Sequence, residues 1–164
     1  MKTAPCSEAD IRNIIDICEE VWQALPDKTL LRHNTPEMLA SCVKEPNVTL
    51  GVWDDGQLVA LGVLYVPQCD EEDVANELGL AGWHKAANQK LFVVKEQYRG
   101  QGLQRHLIIR LEQIARQKGF DLLCTTCAPN NSHSIGNFEK EGYRFAKTEI
   151  KYGGLARNLY YKFI

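Results

Sequence analysis

Between residues 11 and 22, Ile11, Ile14, Ile15, Cys18, Val21 and Trp22 recur three and four positions apart, which gathers them on one face of a helix. Ser7 followed by Asp10 makes a capping-box pattern just before them, so a first helix is predicted from about 8 to 24. "LPDKTLLRHN" reads as loop. Thr35 as cap with Pro36 at the first helical position opens a short second helix in "TPEMLASCVKE". The period then changes to that of strands, with two apolar, β-branched runs in "VTLGVWDDGQLVALGVLYV" flanking Asp54-Asp55-Gly56, a hairpin signal. Residues 68 to 89 are polar and uneven, with one helical turn in "CDEEDVANELG", and form the longest irregular connection. "KLFVV" is a strand. Leu103, Leu107, Ile108, Leu111, Ile114 and Ala115 are the stripe of a helix ending at Gly119. "FDLLCTTC" is a further strand, and Ile135 and Phe138 lie on a helix that starts near Asn131 or Ser132 and stops at Gly142. "YRFAKTEIKY", Gly153-Gly154 and "NLYYKFI" close the chain as a second hairpin.

This order, α-α-β-β-β-α-β-α-β-β, contains no repeat or linker, so residues 1–164 are read as one domain whose central strand-helix-strand unit joins parallel strands. The net charge of −2 speaks against nucleic acid or a membrane surface as partner, and no apolar run approaches the roughly 20 residues of a membrane span. The opening residues lack the apolar core of a secretory signal, which makes the cytoplasm the expected compartment and reduced thiols the expected state of the six cysteines. Cys124 and Cys127 spell C-x-x-C. On a strand, residues three apart face opposite sides, and His33, His84, His106 and His133 are scattered, so no metal site is expected.

The chemistry concentrates in "QYRGQG", between the strand "LFVV" and the helix after it. A helix start leaves several N–H groups without partners, and Gly100 and Gly102 let an anion approach the backbone with no Cβ in the way. The turn is shaped for phosphate. Arg105 stands where a dinucleotide-binding G-x-G-x-x-G would have its third glycine, and no P-loop is present, which removes support for hydride transfer and nucleotide hydrolysis.

Gln97, Gly100 and Gly102 match the acetyl-CoA loop Q/R-x-x-G-x-G/A of the GNAT N-acetyltransferase superfamily. Asn131, Ser134, Phe138, Gly142 and Tyr143 align with its second signature, N-x-x-A-x-x-x-Y-x-x-x-G-F. The chain resembles that superfamily in element order over almost its full length. The resemblance implies an α/β (α+β) fold: a mixed, mostly antiparallel central sheet of six or seven strands, a splayed parallel pair at its centre and helices on both faces. It also implies acetyl-CoA as co-substrate, with no metal, and direct attack by a primary amine on the thioester. The acceptor would be a small molecule or, alternatively, a peptide or protein amine, and the protein a monomer or homodimer.

Carried over residue by residue, the backbone of Phe92, Val93 and Val94 would run beside the pantetheine arm, and the amides of Gly100, Gln101, Gly102, Leu103, Gln104 and Arg105 would take the pyrophosphate. Asn131 would contact the pantetheine, serve as a plain helix cap, or both. Arg99 and Arg105 would neutralise phosphates or simply be solvated. The Val94 amide would meet the oxyanion. Several positions depart from the family pattern. Glu96 replaces the proline near the loop start, Gln104 replaces a small residue, Thr126 stands where some members carry a glutamate, and Phe138 replaces the tyrosine that serves many members as acid. A thiolate leaving group with a pKa near 8.5 needs little help, so water is the expected proton donor, with Tyr152 and Tyr160 the side-chain candidates. The acidic stretch 70–77 would attract a cationic amine or be a solvated surface loop. The missing acid and glutamate also leave open a different class of protein, a non-catalytic acyl-CoA-binding sensor.

Overall fold

The structure is a computed structural model that describes residues 1–68 and 72–164. Each capping signal is realised. The Ser7 amide donates to Asp10 Oδ2 at 2.8 Å, starting a 3-10 turn at Glu8–Asp10 that runs into α1 (Ile11–Ala24). Thr35 Oγ1 accepts from the Met38 amide at 3.2 Å at the head of α2 (Pro36–Ser41). β2 (Val48–Asp54) and β3 (Gln57–Tyr65) are joined by Asp55 and Gly56 with φ of 48° and 79°, the left-handed pair that matches the twist of a tight hairpin. α3 (Val74–Glu77) is a single turn, followed by β4 (Ala86–Val94), α4 (Leu103–Gln117), β5 (Leu122–Cys127), α5 (Ser132–Lys140), β6 (Arg144–Lys151) and β7 (Leu155–Phe163).

Several boundaries differ from the expectation, two of them in the first half of the sheet. A strand β1 (Lys2–Pro5) precedes the first helix and pairs antiparallel with β2, and β4 begins four residues before "KLFVV". "AANQ" hides its strand character because its polar side chains bond to the protein instead of to water: Asn88 Nδ2 donates to the Glu72 carbonyl at 2.5 Å and Gln89 Nε2 to that of Ile108 at 3.0 Å.

The seven strands form one sheet in the order β1-β2-β3-β4-β5-β7-β6, antiparallel throughout except for the parallel pair β4-β5. α4 and α5 cover one face, where Leu107, Ile108, Leu111 and Ala115 are wholly buried against β3, β4 and β5. α1 and α2 cover the other face over β2–β4 through Ile14, Ile17 and Leu39, and α3 completes it over β5 and β7 with Val74 and Ala75. Each leucine, isoleucine and valine among them contributes roughly 1.5–3 kcal/mol of transfer free energy. The sheet centre is thereby fixed from both sides, and any opening between its strands has rigid walls. Among the described residues no helix is long and apolar enough to cross a membrane.

Candidate active site

The central feature is a separation between β4 and β5. They pair in parallel only from Ala86/Leu122 to Asn88/Cys124. One step further the backbone ladder is replaced by a side-chain bond, from Thr125 Oγ1 to the Gln89 carbonyl at 2.8 Å. Beyond that point β4 stays with β3 and β5 with β7. The divergence coincides with a bulge in β4 opposite Gly62, where Leu91 adopts φ of 53°. Two consecutive side chains, Lys90 and Leu91, consequently lie on the α1 face: Lys90 Nζ is 3.6 Å from the centroid of Tyr65, and Leu91 packs in the α1 cluster. The chain regains its alternation with Phe92, whose ring lies over Gly62 on the α4 face.

The bulge leaves one edge of β4 open. The Lys95 amide donates to the Val59 carbonyl at 3.0 Å, toward β3, so strand alternation turns the Val94 N–H and C=O the opposite way, toward the gap. Arg99 Nε approaches that carbonyl at 3.4 Å.

The segment after β4 is anchored at three points. Lys95 Nζ pairs with Glu20 at 2.9 Å, the Tyr98 hydroxyl donates to Asp54 Oδ2 at 2.9 Å, and a 3-10 turn spans Glu96–Tyr98. Gly100 and Gly102 then take φ of 77° and 74°, and a Cβ on either would meet no heavy atom within 4 Å. Gly102 caps α4 without a side chain, and the first intrahelical bond is His106 N–H to the Gly102 carbonyl at 2.9 Å. The amides of Leu103, Gln104 and Arg105 therefore have no intrahelical acceptor, and the positive end of a 15-residue helix stands behind them. Unpartnered amides at the start of a helix are the kind of group that can receive an anion.

A groove of about 490 Å³ runs from these amides along Phe92, Val93 and Val94 to the start of α5. Gly100, Gly102, Leu103, Gln104, Arg105, Arg99 and Asn131 line it, whereas Gln101 is exposed outside the lining. Asn131 Oδ1 accepts from the Ser134 amide at 3.2 Å, so it caps α5 while bordering the groove. Gln104 donates to Ser134 Oγ at 2.8 Å and accepts from Asn137 Nδ2 at 3.1 Å, tying α4 to α5. Arg105 is engaged by Glu141, and Lys140 adds a cation along the rim.

A smaller cavity of about 110 Å³ opens through the gap toward the other face of the sheet, sharing Phe92, Asn131 and Ser134 with the groove. Phe138 borders it and is otherwise core, packed edge-to-face on Phe92 and Tyr143 with centroids 5.5 and 5.0 Å apart. Thr126 and Tyr152 line it. Tyr160 does not: it is 2 % exposed, on the α4 side of β7 beside Phe145. Burial pushes its hydroxyl above the ordinary phenol value.

Cys124 and Cys127 do face opposite sides of β5, one in the α3 cluster and one in the α4 cluster. Burial pushes their thiols up to about 12 and about 11, so neither carries thiolate at neutral pH.

Sequence reading singled out none of Asn88, Lys90 and Arg157, which share the polar wall of this cavity with Arg32 and Glu72. Glu72 Oε1 accepts from Arg32 Nη1 at 3.1 Å and Lys90 Nζ at 3.5 Å. Burial works to raise the Glu72 carboxyl, but Lys90, Tyr65 and Arg32 together outweigh it and leave it below its ordinary value. Asp73 caps α3 and Glu77 is bound by Lys151, so the described carboxylates of the acidic stretch are engaged within the protein; Asp70 and Glu71 lie outside the described residues. Of Asn88, Lys90 and Arg157, Arg157 alone left a signal in the sequence, a charge in phase with the inward-facing Leu159.

The same architecture occurs in solved structures. An N-acetyltransferase from Staphylococcus aureus Mu50 superposes with a TM-score of 0.75 at 12% identity, covering 99% of this chain and 96% of its own. The ribosomal-protein-S18-alanine N-acetyltransferase of Escherichia coli gives 0.74 at 17%, covering 99% and 93%. A putative acetyltransferase from Salmonella typhimurium, solved with its cofactor acetyl-CoA, gives 0.72 at 16%, covering 99% and 93%. Comparison with curated protein sequences gives no match. The family model for the acetyltransferase (GNAT) family matches residues 10–143, across α1, the bulged β4, the glycine loop and α5, and the chain belongs to that family.

Proposed function

We propose that the protein transfers an acetyl group from acetyl-CoA to a primary amine, by direct attack of the amine on the thioester. The observation that carries this reading is the divergence of β4 from β5, which leaves a strand edge open beside glycines whose missing side chains face empty space. The groove fits the donor in kind: a backbone edge for an amide-containing arm, then unpartnered helix amides for a pyrophosphate. Acetyl-CoA supplies the activated acyl group as a thioester.

The remaining roles belong to the chain. Phe92, Val93 and Val94 hold the arm as a neighbouring strand would, and Asn131 borders it. The loop from Gly100 to Arg105 holds the phosphates, with Arg99 beside them. The Val94 N–H, aimed into the gap, donates to the carbonyl oxygen as negative charge develops there, a contribution on the order of 3 kcal/mol for one well-placed donor. The amine reaches the carbonyl through the smaller cavity and must arrive neutral, since a protonated amine has no lone pair to give. Water protonates the departing thiolate; Tyr152, which lines the cavity, is the side-chain alternative, and Tyr160 is placed less favourably by its burial. Phe138 contributes packing and no proton.

The test is amine-dependent release of free thiol from acetyl-CoA, with the acetylated amine identified by mass. Thiol release that never exceeds hydrolysis across amines, polyamines, aminoglycosides, amino acids and peptides, from a protein that binds acetyl-CoA, would instead indicate an acyl-CoA-binding sensor.

A further inference from the structure

Four charged side chains of the described residues line the smaller cavity: Arg32, Lys90 and Arg157 against Glu72. Three positive charges less one negative leave a surplus of two. Glu72 is shared between Arg32 and Lys90, and both cations have a further resting place, Arg32 on the Tyr152 ring at 4.2 Å and Lys90 on the Tyr65 ring at 3.6 Å. Arg157 has neither. It is 4 % exposed, and its one hydrogen bond among the described residues runs from Nη1 to the carbonyl of Ala156 at 2.8 Å. Glu149, its neighbour across the β6-β7 ladder, is bound by Lys147 at 2.6 Å, and no described carboxylate comes within ion-pair distance of Arg157.

A guanidinium has five donors and stays charged at any physiological pH, and only one N–H of Arg157 has a protein acceptor among the described residues, while the residue borders the cavity. Burying a cation unpaired costs several kcal/mol, which folds retain where a ligand supplies the missing charge. The cavity beside it has roughly four waters' share of liquid volume, enough for a carboxylate and a short stem.

We propose that the acceptor is an amine that also bears a carboxylate, and that Arg157 receives that carboxylate while the amine points through the gap toward Val94. This rests on the acetyl-transfer reading above and replaces a purely cationic acceptor with a zwitterionic one. A free amino acid presents this pair of groups through its own carboxylate, and a peptide through an acidic first residue.

The experiment measures kcat/KM for acetyl-CoA-dependent acetylation of the twenty amino acids and of their carboxamides, which keep the amine and lose the negative charge. Peptides starting with Asp or Asn form a second arm. Calorimetry with acetyl-CoA accompanies every variant. Wild type is expected to prefer the best acid over its amide at least tenfold, or Asp-peptide over Asn-peptide if the source is a peptide. Arg157→Gln should bring that preference within threefold through KM, with kcat little changed, and Arg157→Lys should keep part of it. The acid-amide comparison in wild type stands even if Arg157→Gln fails to fold. Amides equal to or better than acids, a preference that survives Arg157→Gln, or no amino acid or peptide accepted by a protein that binds acetyl-CoA would each overturn the proposal. Failure to bind acetyl-CoA would instead remove the transfer reading beneath it, and the proposal with it.

Discussion

Gly62 and Phe92 are packed so closely that a single methyl group tests how the gap is built. A Cβ on Gly62 would lie 2.6 and 2.8 Å from Cε1 and Cδ1 of Phe92 and 3.2 Å from Leu111 Cδ1, whereas carbon atoms rest at about 3.5–4 Å. In Gly62→Ala the Phe92 ring must retreat by about 1 Å. Its retreat is blocked by Phe138, which is itself backed by Tyr143. Overpacking of this kind costs about 1–3 kcal/mol, and loss of glycine freedom in the unfolded chain returns about 0.4–1 kcal/mol. The expected net loss is about 1–2 kcal/mol, a fall in Tm of about 2–8 °C for a chain of this length. Because Phe92 borders both groove and cavity, acetyl-CoA affinity should fall as well. Thermal melts and calorimetry on Gly62→Ala, Phe92→Ala and the double variant form the assay. With the ring gone the two closest contacts of the alanine are removed, so the two changes should be non-additive by about 1 kcal/mol or more. A stabilised Gly62→Ala, or strictly additive effects, would refute the packing that holds Phe92 at the gap.

Further outcomes follow from the same contacts. With water as the proton donor, kcat should rise with pH from about 6 to 10 through the amine's apparent pKa, and Tyr152→Phe and Tyr160→Phe should follow the wild-type profile; a hundredfold loss in either assigns the role to that tyrosine. Glu72→Gln leaves Arg32 and Lys90 facing each other, and chemical denaturation at pH 7 should show a loss of about 1–3 kcal/mol. The folded carboxyl lies below its ordinary 4.5, so this advantage of the wild type is full above that value and disappears as pH falls through the lowered one; a difference independent of pH contradicts the ion pairs. Cys124 and Cys127 should react with iodoacetamide at pH 7.5 far more slowly in the native protein than in urea, and fast native labelling of either would contradict their burial.

The features legible in the sequence are those whose cause is local. Ser7, Thr35 and Asn131 cap helices through their own side chains, Asp55-Gly56 turns a hairpin through its own dihedrals, and the stripe of α4 repeats often enough to fix a phase. The glycine loop was legible for the same reason, since the residues that vacate the space are those that border it. What was not legible depends on partners distant in the chain. β1 has four residues, too few for a period, and exists by pairing with β2. Leu91 gives no sign of φ 53°, because the bulge is imposed by β3 and the packing of Phe92 on Gly62. Glu72 reads as one of several acids that would attract a cationic amine, and its pairing appears only when Arg32 and Lys90, far from it in sequence, meet it across the cavity.

The most direct measurement is a calorimetric titration of acetyl-CoA into wild type, Gly100→Leu and Gly102→Leu, with a thermal melt of each. Both glycines sit at positive φ with open space beyond, so each substitution costs about 1–2 kcal/mol of backbone strain and leaves the protein folded. In the proposed function that space receives the phosphates of the donor. The expected result is one micromolar site per wild-type chain, and binding at least a hundredfold weaker in both variants despite cooperative melts. Equal binding by all three, or none by the wild type, would contradict a donor site at this loop.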